Sequence, residues 1–332
     1  MIRSARFGTW MLAAMMPLIL GCDLDIDSFA GLTPAEGSFD RALTVTGPVE
    51  LEVATGSGSI RIRSGGTNTV RVMGQIRVRD SSQQNAEERV RAIAADPPIE
   101  QTGNRIRIGH GDRPELRRNV SISYEIETPA GTTVESSTGS GNQTLEAVRG
   151  PVHASTGSGS IHLVDIAEDV RAETGSGNIT ARGLGRGLQA ETGSGSIRAE
   201  SVSGPVKLGT GSGNITSEQV AEGDAELETG SGSIDASGIR GALKASTGSG
   251  SITAAGAPTK AWEAESGSGS VRVRIDPGSA FDIDAHAGSG QVTVRQPLTT
   301  TISSTRKEIR GKVGGGGPQV RLRSSSGNVT VE

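Results

Sequence analysis

Residues 170–181 read Val-Arg-Ala-Glu-Thr-Gly-Ser-Gly-Asn-Ile-Thr-Ala, and residues 206–217 read Val-Lys-Leu-Gly-Thr-Gly-Ser-Gly-Asn-Ile-Thr-Ser. The central string, Thr-Gly-Ser-Gly followed by Ser or Asn, recurs at steps of 18 residues with one step of 19, and it begins at Thr138, Thr156, Thr174, Thr192, Thr210, Thr229 and Thr247. Related strings begin at Thr55, Ser266, Ala287 and Ser326. A short fixed period predicts a repeat protein in which each unit contacts its neighbours.

Each repeat carries the pattern of short strands. In residues 170–174, apolar residues alternate with charged ones, which predicts a strand with one buried face. The Gly-Ser-Gly segment breaks this alternation, so Ile179 is expected to return to the interior and begin a second strand. A third apolar position, such as Val220 or Ile239, follows before a turn marked by a glycine such as Gly241.

The hydroxyl groups of the repeat invite a comparison with ice-binding or glycan-binding arrays. Thr174 and Ser176, however, share the parity of the buried residues, which predicts a place inside the coil or at the bend. Interior hydroxyls need hydrogen-bond partners, so we expect them to bond to neighbouring coils and to serve the fold.

These features predict the fold class. A unit this short cannot bury its own apolar face, whereas copies stacked about 4.8 Å apart can. The sequence therefore predicts an all-β protein, a single-stranded parallel β-helix or solenoid, with a right-handed sense favoured. Calcium-binding nonapeptide repeats need Asp after the glycines, and left-handed hexapeptide helices need an aliphatic residue every six positions. Neither pattern is present.

Composition excludes several classes of protein. The 332 residues include 49 Gly, only 2% aromatic residues and a net charge of −4. The core must be thin, and the chain lacks the basic and aromatic residues of a nucleic-acid binder. Its single cysteine, Cys22, excludes an internal disulfide. The histidines lack ligand spacing, so neither a metal nor another cofactor is predicted: His110, His153, His162 and His286.

The amino-terminal residues resemble a bacterial lipoprotein signal. Arg3 and Arg6 precede an apolar stretch over residues 7–20, which is short for a membrane span, and Gly21 precedes Cys22. Residues 1–21 are accordingly predicted to be a signal peptide, with lipid attached to Cys22. We expect a membrane-anchored lipoprotein of the cell envelope, either periplasmic or surface-exposed.

The rest of the chain divides into three predicted parts. Residues 22–40 form a tether, residues 41–135 an amino-terminal β or cap region, and residues 136–332 the solenoid repeats with a carboxy-terminal cap. A helical insert is expected near residues 82–95, where Ser81 or Ser82 can act as the amino-terminal cap. Its apolar face comprises Ala86, Val90, Ile93 and Ala94. This helix is expected to cover the exposed first coil.

The order of several motifs adds a resemblance. These motifs are Gly58-Ser59-Ile60, the helical insert, the Tyr-Glu-Ile-Glu-Thr-Pro-Ala-Gly run over residues 124–131, the repeated strings, and the glycines over residues 314–317. In this order, the chain over roughly residues 40–332 resembles the bacterial putative-adhesin family, a β-solenoid domain of unknown biochemical function on exported and envelope proteins. The resemblance implies no catalytic residues, and it allows a role in envelope-stress sensing as well as adhesion.

A polysaccharide-acting enzyme is the least favoured function. Such enzymes need carboxylates clustered in a groove. Glu173 and Glu191 fall one position before the Thr of successive repeats, but Gly209 interrupts this column before Glu228. We therefore predict that the protein is not an enzyme.

The candidate binding residues lie two positions earlier in the repeat. This column mixes charges and comprises Arg171, Gln189, Lys207, Glu226, Lys244 and Glu263. It is typical of a solvated face, and Arg171, Lys207 and Lys244 are its candidate contact residues. Residues 298–318 interrupt the repeat period and are rich in basic residues. A cover strand is favoured there over a basic loop for an acidic partner.

The predicted function is that of an exported, lipid-anchored, adhesin-like binding or structural protein of the envelope. Its partners would be the membrane, through the lipid anchor, and an envelope polysaccharide or another envelope protein. The alternative is an envelope-stress or regulatory component that contacts membrane partners through its capped ends.

Overall fold

The computed structural model describes residues 34–66, 68–110, 116 and 118–332. The predicted signal peptide, Cys22 and most of the tether lie outside these residues.

The described residues form two large sheets and one helix. Sheet A has 14 strands: β1 (Ala35–Thr44), β3 (Ile60–Ser64), β4 (Thr69–Val78), β7 (Val120–Thr128), β9 (Gln143–Glu146), β11 (Ile161–Val164), β13 (Ile179–Leu184), β15 (Ile197–Val202), β17 (Ile215–Gln219), β19 (Ile234–Ile239), β21 (Ile252–Gly256), β23 (Val271–Ile275), β25 (Val292–Val294) and β29 (Val329–Val331).

Sheet B has 15 strands, and its labels also follow chain order. They are β2 (Glu50–Thr55), β5 (Ile99–Thr102), β6 (Arg105–Ile108), β8 (Thr133–Thr138), β10 (Val152–Thr156), β12 (Val170–Thr174), β14 (Leu188–Thr192), β16 (Val206–Thr210), β18 (Ala225–Thr229), β20 (Leu243–Thr247), β22 (Trp262–Ser266), β24 (Phe281–Ala287), β26 (Leu298–Ser304), β27 (Glu308–Val313) and β28 (Gln319–Ser324).

Each repeat contributes one strand to each sheet, and equivalent residues stack in register. Ile161 pairs with Ile179, Ile179 with Ile197 and Ile197 with Ile215, and all four are at most 1% exposed. This single interior file confirms the predicted β-solenoid. Its right-handed sense stays a prediction.

The bends explain why the repeat keeps Thr and two glycines. The Thr174 hydroxyl donates to the carbonyl of Gly159 in the preceding coil at 2.8 Å and accepts from the N–H of Gly177 at 3.1 Å. A Cβ on Gly177 would lie 1.8 Å from that same Gly159 oxygen, so a side chain is excluded there. The threonines are thus interior and structural, as predicted, whereas Ser176 lies at the bend with its side chain exposed.

The predicted third apolar position is correct at Ile239 and wrong at Val220. In most coils, a residue with positive φ shifts the alternation of the second strand, as Gly238 does at 71°, and brings the next residue inside. Ile239 is therefore fully buried. The residue equivalent to Ile239 in the coil over residues 206–224 is Gln219, and no residue of its strand, β17, has a positive φ. The strand keeps its alternation, so Gln219 is buried and Val220 is 54% exposed.

The parallel ladder begins earlier than the predicted boundary at residue 136. Strands β2 and β3 pair in parallel with β8 and β9, so they form a first regular coil within the predicted cap region. Beyond this coil, β7 pairs in parallel with β3, and β4 and β1 continue sheet A in antiparallel pairing. On sheet B, β6 pairs in parallel with β2, and β5 pairs antiparallel with β6.

The predicted helical insert is present as α1 (Gln83–Ala95). Ser82 is its amino-terminal cap, because its hydroxyl accepts from the N–H of Asn85 at 3.4 Å. Ala86, Val90 and Ile93 are buried. The helix packs against β1 and β4, the last strands of sheet A at this end, so it covers the antiparallel extension rather than the first coil itself.

The carboxy-terminal end departs from chain order. Strands β28 and β29 lie between the coil of β22 and β23 and the coil of β24 and β25. Charge explains this arrangement. Arg321 and Arg323 lie 3.5 and 3.7 Å from Glu263 and Glu265 on one side, and within 3.8 Å of Asp284 on the other. Stacking β24 directly on β22 would instead place Glu263 beside Asp284 and leave Glu265 beside His286.

Candidate functional site

The outer surface of sheet B carries the predicted binding residues. We call this surface, over β8 to β22, the charged face. Its middle column comprises Glu135, His153, Arg171, Gln189, Lys207, Glu226, Lys244 and Glu263. Its bend-side column comprises Ser137, Ser155, Glu173, Glu191, Gly209, Glu228, Ser246 and Glu265. Sequence alternation determines both columns, because every second residue of each strand points outward.

The structure brings Arg171, Lys207 and Lys244 into one column, as their spacing predicted. It also pairs each of them with a carboxylate. Arg171 contacts Glu173, and the ammonium groups of Lys207 and Lys244 lie 3.2 and 3.4 Å from the two oxygens of Glu226. Their role in binding stays a prediction.

Glu226 is the electrostatic centre of this arrangement. Side-chain hydrogen bonds from Lys207 and then from Lys244 lower the pKa of Glu226 below its ordinary value. The carboxylate therefore stays ionised at neutral pH and balances part of the positive charge of the lysines. The middle column is a mixed-charge network rather than a basic patch.

Two shallow, open grooves run along the charged face, one on each side of the middle column. The turn-side groove has a volume of about 930 Å³, and exposed Pro151, Pro205 and Ala261 contribute to its apolar lining. The bend-side groove has a volume of about 910 Å³, and its lining includes Glu173, Glu191, Lys207, Gly209, Glu226 and Glu228. Both cross several coils, so each can accommodate an extended ligand better than a compact one.

The outer surface of sheet A has a different character. Its column has mixed character and comprises His162, Thr180, Arg198, Thr216, Asp235 and Thr253. Arg198 and Arg182 both contact Glu200, and their hydrogen bonds lower the pKa of Glu200. This surface supplies a natural control for experiments on the charged face.

Residues 298–318 form the favoured cover structure. Strands β26 and β27 make an antiparallel hairpin, and β27 pairs antiparallel with β24. Arg310 is 3.3 Å from Asp284 and 3.0 Å from Glu308. The hairpin therefore extends sheet B, and part of its positive charge is paired with carboxylates within the fold.

The glutamates considered for catalysis are engaged with their own strands. Glu173 contacts Arg171, and Glu191 accepts from the Gln189 amide at 3.1 Å. The described ranges contain no cluster of His, Cys, Asp or Glu suited to a metal ion. Within the same ranges, no helix has the length and apolar character needed to cross a membrane.

The fold and its stacked, mixed-charge surface define a β-solenoid domain without an evident catalytic centre among the described residues. The chain belongs to the Toastrack family, DUF4097, whose model matches residues 49–332. None of the curated proteins matches the chain.

Several solved structures are similar over most of their length. A putative cell adhesion protein from Clostridium sporogenes is 11% identical, with 90% of this chain and 99% of that chain covered and a TM-score of 0.20. A putative lipid binding protein from Parabacteroides distasonis is 12% identical, with 89% and 97% covered and a TM-score of 0.38. A putative adhesin from Parabacteroides distasonis is 14% identical, with 89% and 97% covered and a TM-score of 0.34. These names describe the neighbours and assign no ligand to this chain.

Proposed function

We propose that the protein is a lipid-anchored, non-enzymatic binding protein of the cell envelope, and that its charged face holds an extended envelope polymer. The single observation that supports this most is the in-register stacking of the middle column beside two long grooves. Equivalent side chains at a spacing of about 4.8 Å can make many similar weak contacts with a linear ligand. Such contacts add through avidity.

The anchor part of the proposal rests on the sequence around Cys22. The tether was predicted over residues 22–40, but β1 begins at Ala35, so residues 35–40 belong to sheet A. A lipid attached to Cys22 would hold the domain at a membrane through the residues that precede β1. We expect palmitate to label the wild-type chain and not a Cys22→Ala variant, and we expect this variant to leave the membrane fraction. Equal labelling of the two chains would contradict the anchor.

The binding part is tested by changing the three candidate cations together. A variant with Arg171→Ala, Lys207→Ala and Lys244→Ala should lose most of its co-sedimentation with purified peptidoglycan. The matched control carries Arg182→Ala, Arg198→Ala and Arg272→Ala on the outer surface of sheet A, and it should bind as the wild type does. Equal binding by all three proteins would exclude the charged face as the polymer site.

A deletion variant, compared with the binding experiment above, tests the regulatory alternative. If polymer binding is unaffected while deletion of the hairpin of β26 and β27 abolishes an envelope-stress response, contacts through the capped ends become the better explanation.

A further inference from the structure

The last residues of the chain lie inside the stack rather than at its end. We call residues 319–332, which include β28 and β29, the terminal coil. Strand β28 pairs in parallel with β22 on one side and with β24 on the other, and β29 pairs in parallel with β23 and β25. The terminal coil is therefore inserted between two coils that precede it in the sequence.

The coil of β24 and β25 is paired with the rest of the stack only through the terminal coil. Among the described strands, β24 pairs with β28 and β27, and β25 pairs with β29. The hairpin of β26 and β27 is attached in turn to β24. We call residues 281–313, from β24 to β27, the end unit. Besides its covalent connection to β23, the end unit reaches that strand through a long hydrogen bond, 3.4 Å from the Gln296 amide to the Ile275 carbonyl.

The terminal coil belongs to the core of the protein. Its inward side chains are fully buried: Val320, Leu322, Val329 and Val331. Its bend repeats the contacts of the other coils, because the Ser324 hydroxyl donates to the carbonyl of Gly269 at 2.7 Å. A Cβ on Gly327 would lie 2.3 Å from that same oxygen. Loss of the terminal coil would therefore remove core contacts together with strand pairing.

Charges on both sheets disfavour a stack that closes without the terminal coil. On sheet B, the arginines of β28 separate the acidic residues of β22 and β24. On sheet A, the Glu332 carboxylate lies 3.5 Å from Arg274 and 3.3 Å from Arg295. If the end unit docked directly on β22 and β23, acidic residues would face each other on sheet B, and Arg295 would face Arg274 on sheet A.

A glycine loop connects the end unit to the terminal coil. Residues 314–317 are all glycine, and the first three have φ values of 61°, 95° and 89°. Glycine adopts many backbone conformations at low cost. The loop can therefore let the terminal coil separate from its neighbours without distorting β27.

We propose that insertion of the terminal coil controls the attachment of the end unit, so that release of the terminal coil detaches the end unit as well. The dependence runs in one direction, because loosening the hairpin of β26 and β27 leaves both parallel neighbours of the terminal coil in place. A chain synthesised from its amino terminus cannot complete this end until its last residues are available. Until then, the edges of β22 and β23 stay open to other strands. This inference does not depend on what the charged face binds.

Hydrogen exchange of the full-length protein in detergent, followed by mass spectrometry, tests this dependence. Gly327→Ala places a methyl group against backbone in the bend of the terminal coil. We expect exchange to become at least about tenfold faster in residues 319–332 and also in residues 281–313, while residues 206–247 exchange as in the wild type. Unchanged exchange in the end unit would overturn the proposal, because other contacts would then hold it.

The matched control places a similar clash at the outer edge of the end unit. A Cβ on Gly311, in β27, would lie 2.4 Å from the carbonyl oxygen of Thr300. We expect Gly311→Ala to speed exchange in residues 298–313 and to leave residues 319–332 as protected as in the wild type. Faster exchange of the terminal coil in this variant would mean that the stack frays inward from its end, and it would overturn the one-way dependence.

A milder variant keeps the test decisive if Gly327→Ala unfolds the whole protein. Val329→Ala removes buried methyl groups from the terminal coil without a clash. We expect the same joint increase in exchange over residues 281–313 and 319–332. An end unit that keeps wild-type exchange in this variant would overturn the proposal.

Discussion

At the scale of residues, the glycines fall into two kinds: those at which a side chain would collide with backbone, and those at which a side chain would fit. Gly177 is one of a series whose missing Cβ lets the bend lie against the carbonyl of the coil below, at a distance that no side chain tolerates. Gly209 has open space around it. Residue type alone does not distinguish the two, although the repeat does: Gly177 recurs in every string, and Gly209 stands where other repeats have Glu or Ser.

Alanine substitution separates these roles. Gly177→Ala should lower the free energy of unfolding by about 2–3 kcal/mol, because the new methyl group forces backbone apart in a close-packed bend. Gly209→Ala should be neutral or stabilise by about 0.5–1 kcal/mol, because it removes glycine's backbone entropy in a strand. Urea unfolding of both variants measures the difference, and equal effects would contradict the assignment.

Asp224 gives a prediction about pH. The N–H of Ala242, 2.8 Å from Oδ1, and then Lys260 lower the pKa of this exposed carboxyl below its ordinary 3.8. Since the folded state favours the ionised form, the contribution to stability is complete above about pH 4 and is lost as the pH falls through the lower folded-state pKa. Asp224→Asn should therefore flatten the fall in melting temperature between pH 4 and pH 2.5. An unchanged slope would show that Asp224 contributes nothing.

At the scale of elements, the coil over residues 206–224 is the least regular. It contains one of the two steps of 19 residues between Thr138 and Ser266, and its second strand, β17, points polar side chains into the core. Ser217 is 1% exposed and its hydroxyl has no hydrogen-bond partner, while the register partners Ala199 and Ala236 are apolar. Gln219 donates to the carbonyl of Gly204 at 2.8 Å, but its own carbonyl oxygen is unpartnered.

Ser217→Ala should therefore stabilise the protein by about 1 kcal/mol, because it removes a buried hydroxyl without a partner and matches the neighbouring alanines. The control is Thr216→Ala, on the outer surface of the same strand, which should change stability by less than about 0.5 kcal/mol. Chemical unfolding measures the change in the free energy of unfolding of both variants. A destabilised Ser217 variant would mean that the hydroxyl has a partner after all.

How far the sequence predicts these elements depends on what determines each one. The strands, the bends and the interior threonines follow from alternation and period, and they are confirmed. The prediction for Val220 is wrong because its apolar side chain suggests burial, whereas β17 lacks the positive φ that would turn the residue inward. The placement of β28 and β29 was also missed, since the degenerate string at Ser326 can stack on any similar coil. Its signal was the pair Arg321 and Arg323, which complements acidic residues on both neighbouring strands.

The candidate site was predictable in part. The repeat determined which residues share a column, and Arg171, Lys207 and Lys244 lie together as expected. Their pairing with Glu173 and Glu226 depends on side-chain conformations, which a repeat pattern does not specify. The interruption of the glutamate column at Gly209 was visible in the sequence, but only the open space around its Cβ position distinguishes Gly209 from a glycine that the fold requires.

At the scale of the whole molecule, the domain is a stack of coils whose ends are modified. Fourteen strands of sheet A at about 4.8 Å would extend over roughly 60 Å. Exposed sheet edges invite association with other chains. At one end, α1 packs against β1 and β4 of sheet A, and β1 carries charged residues. At the other end, β26 pairs with β27 with two irregularities in register. These features keep the ends from extending the stack and leave the side faces as the larger surface for a ligand.

The central claim is that successive repeats stack in register, and distances between spin labels test it most directly. In a Cys22→Ser background, a label on exposed Ser140 would be paired in turn with labels on Ser231, Ser249 and Ser268, which lie five, six and seven coils away. Stacking in register predicts distances of about 24, 29 and 34 Å, rising by about 4.8 Å for each coil. Distances that fail to rise in even steps with coil number would contradict it.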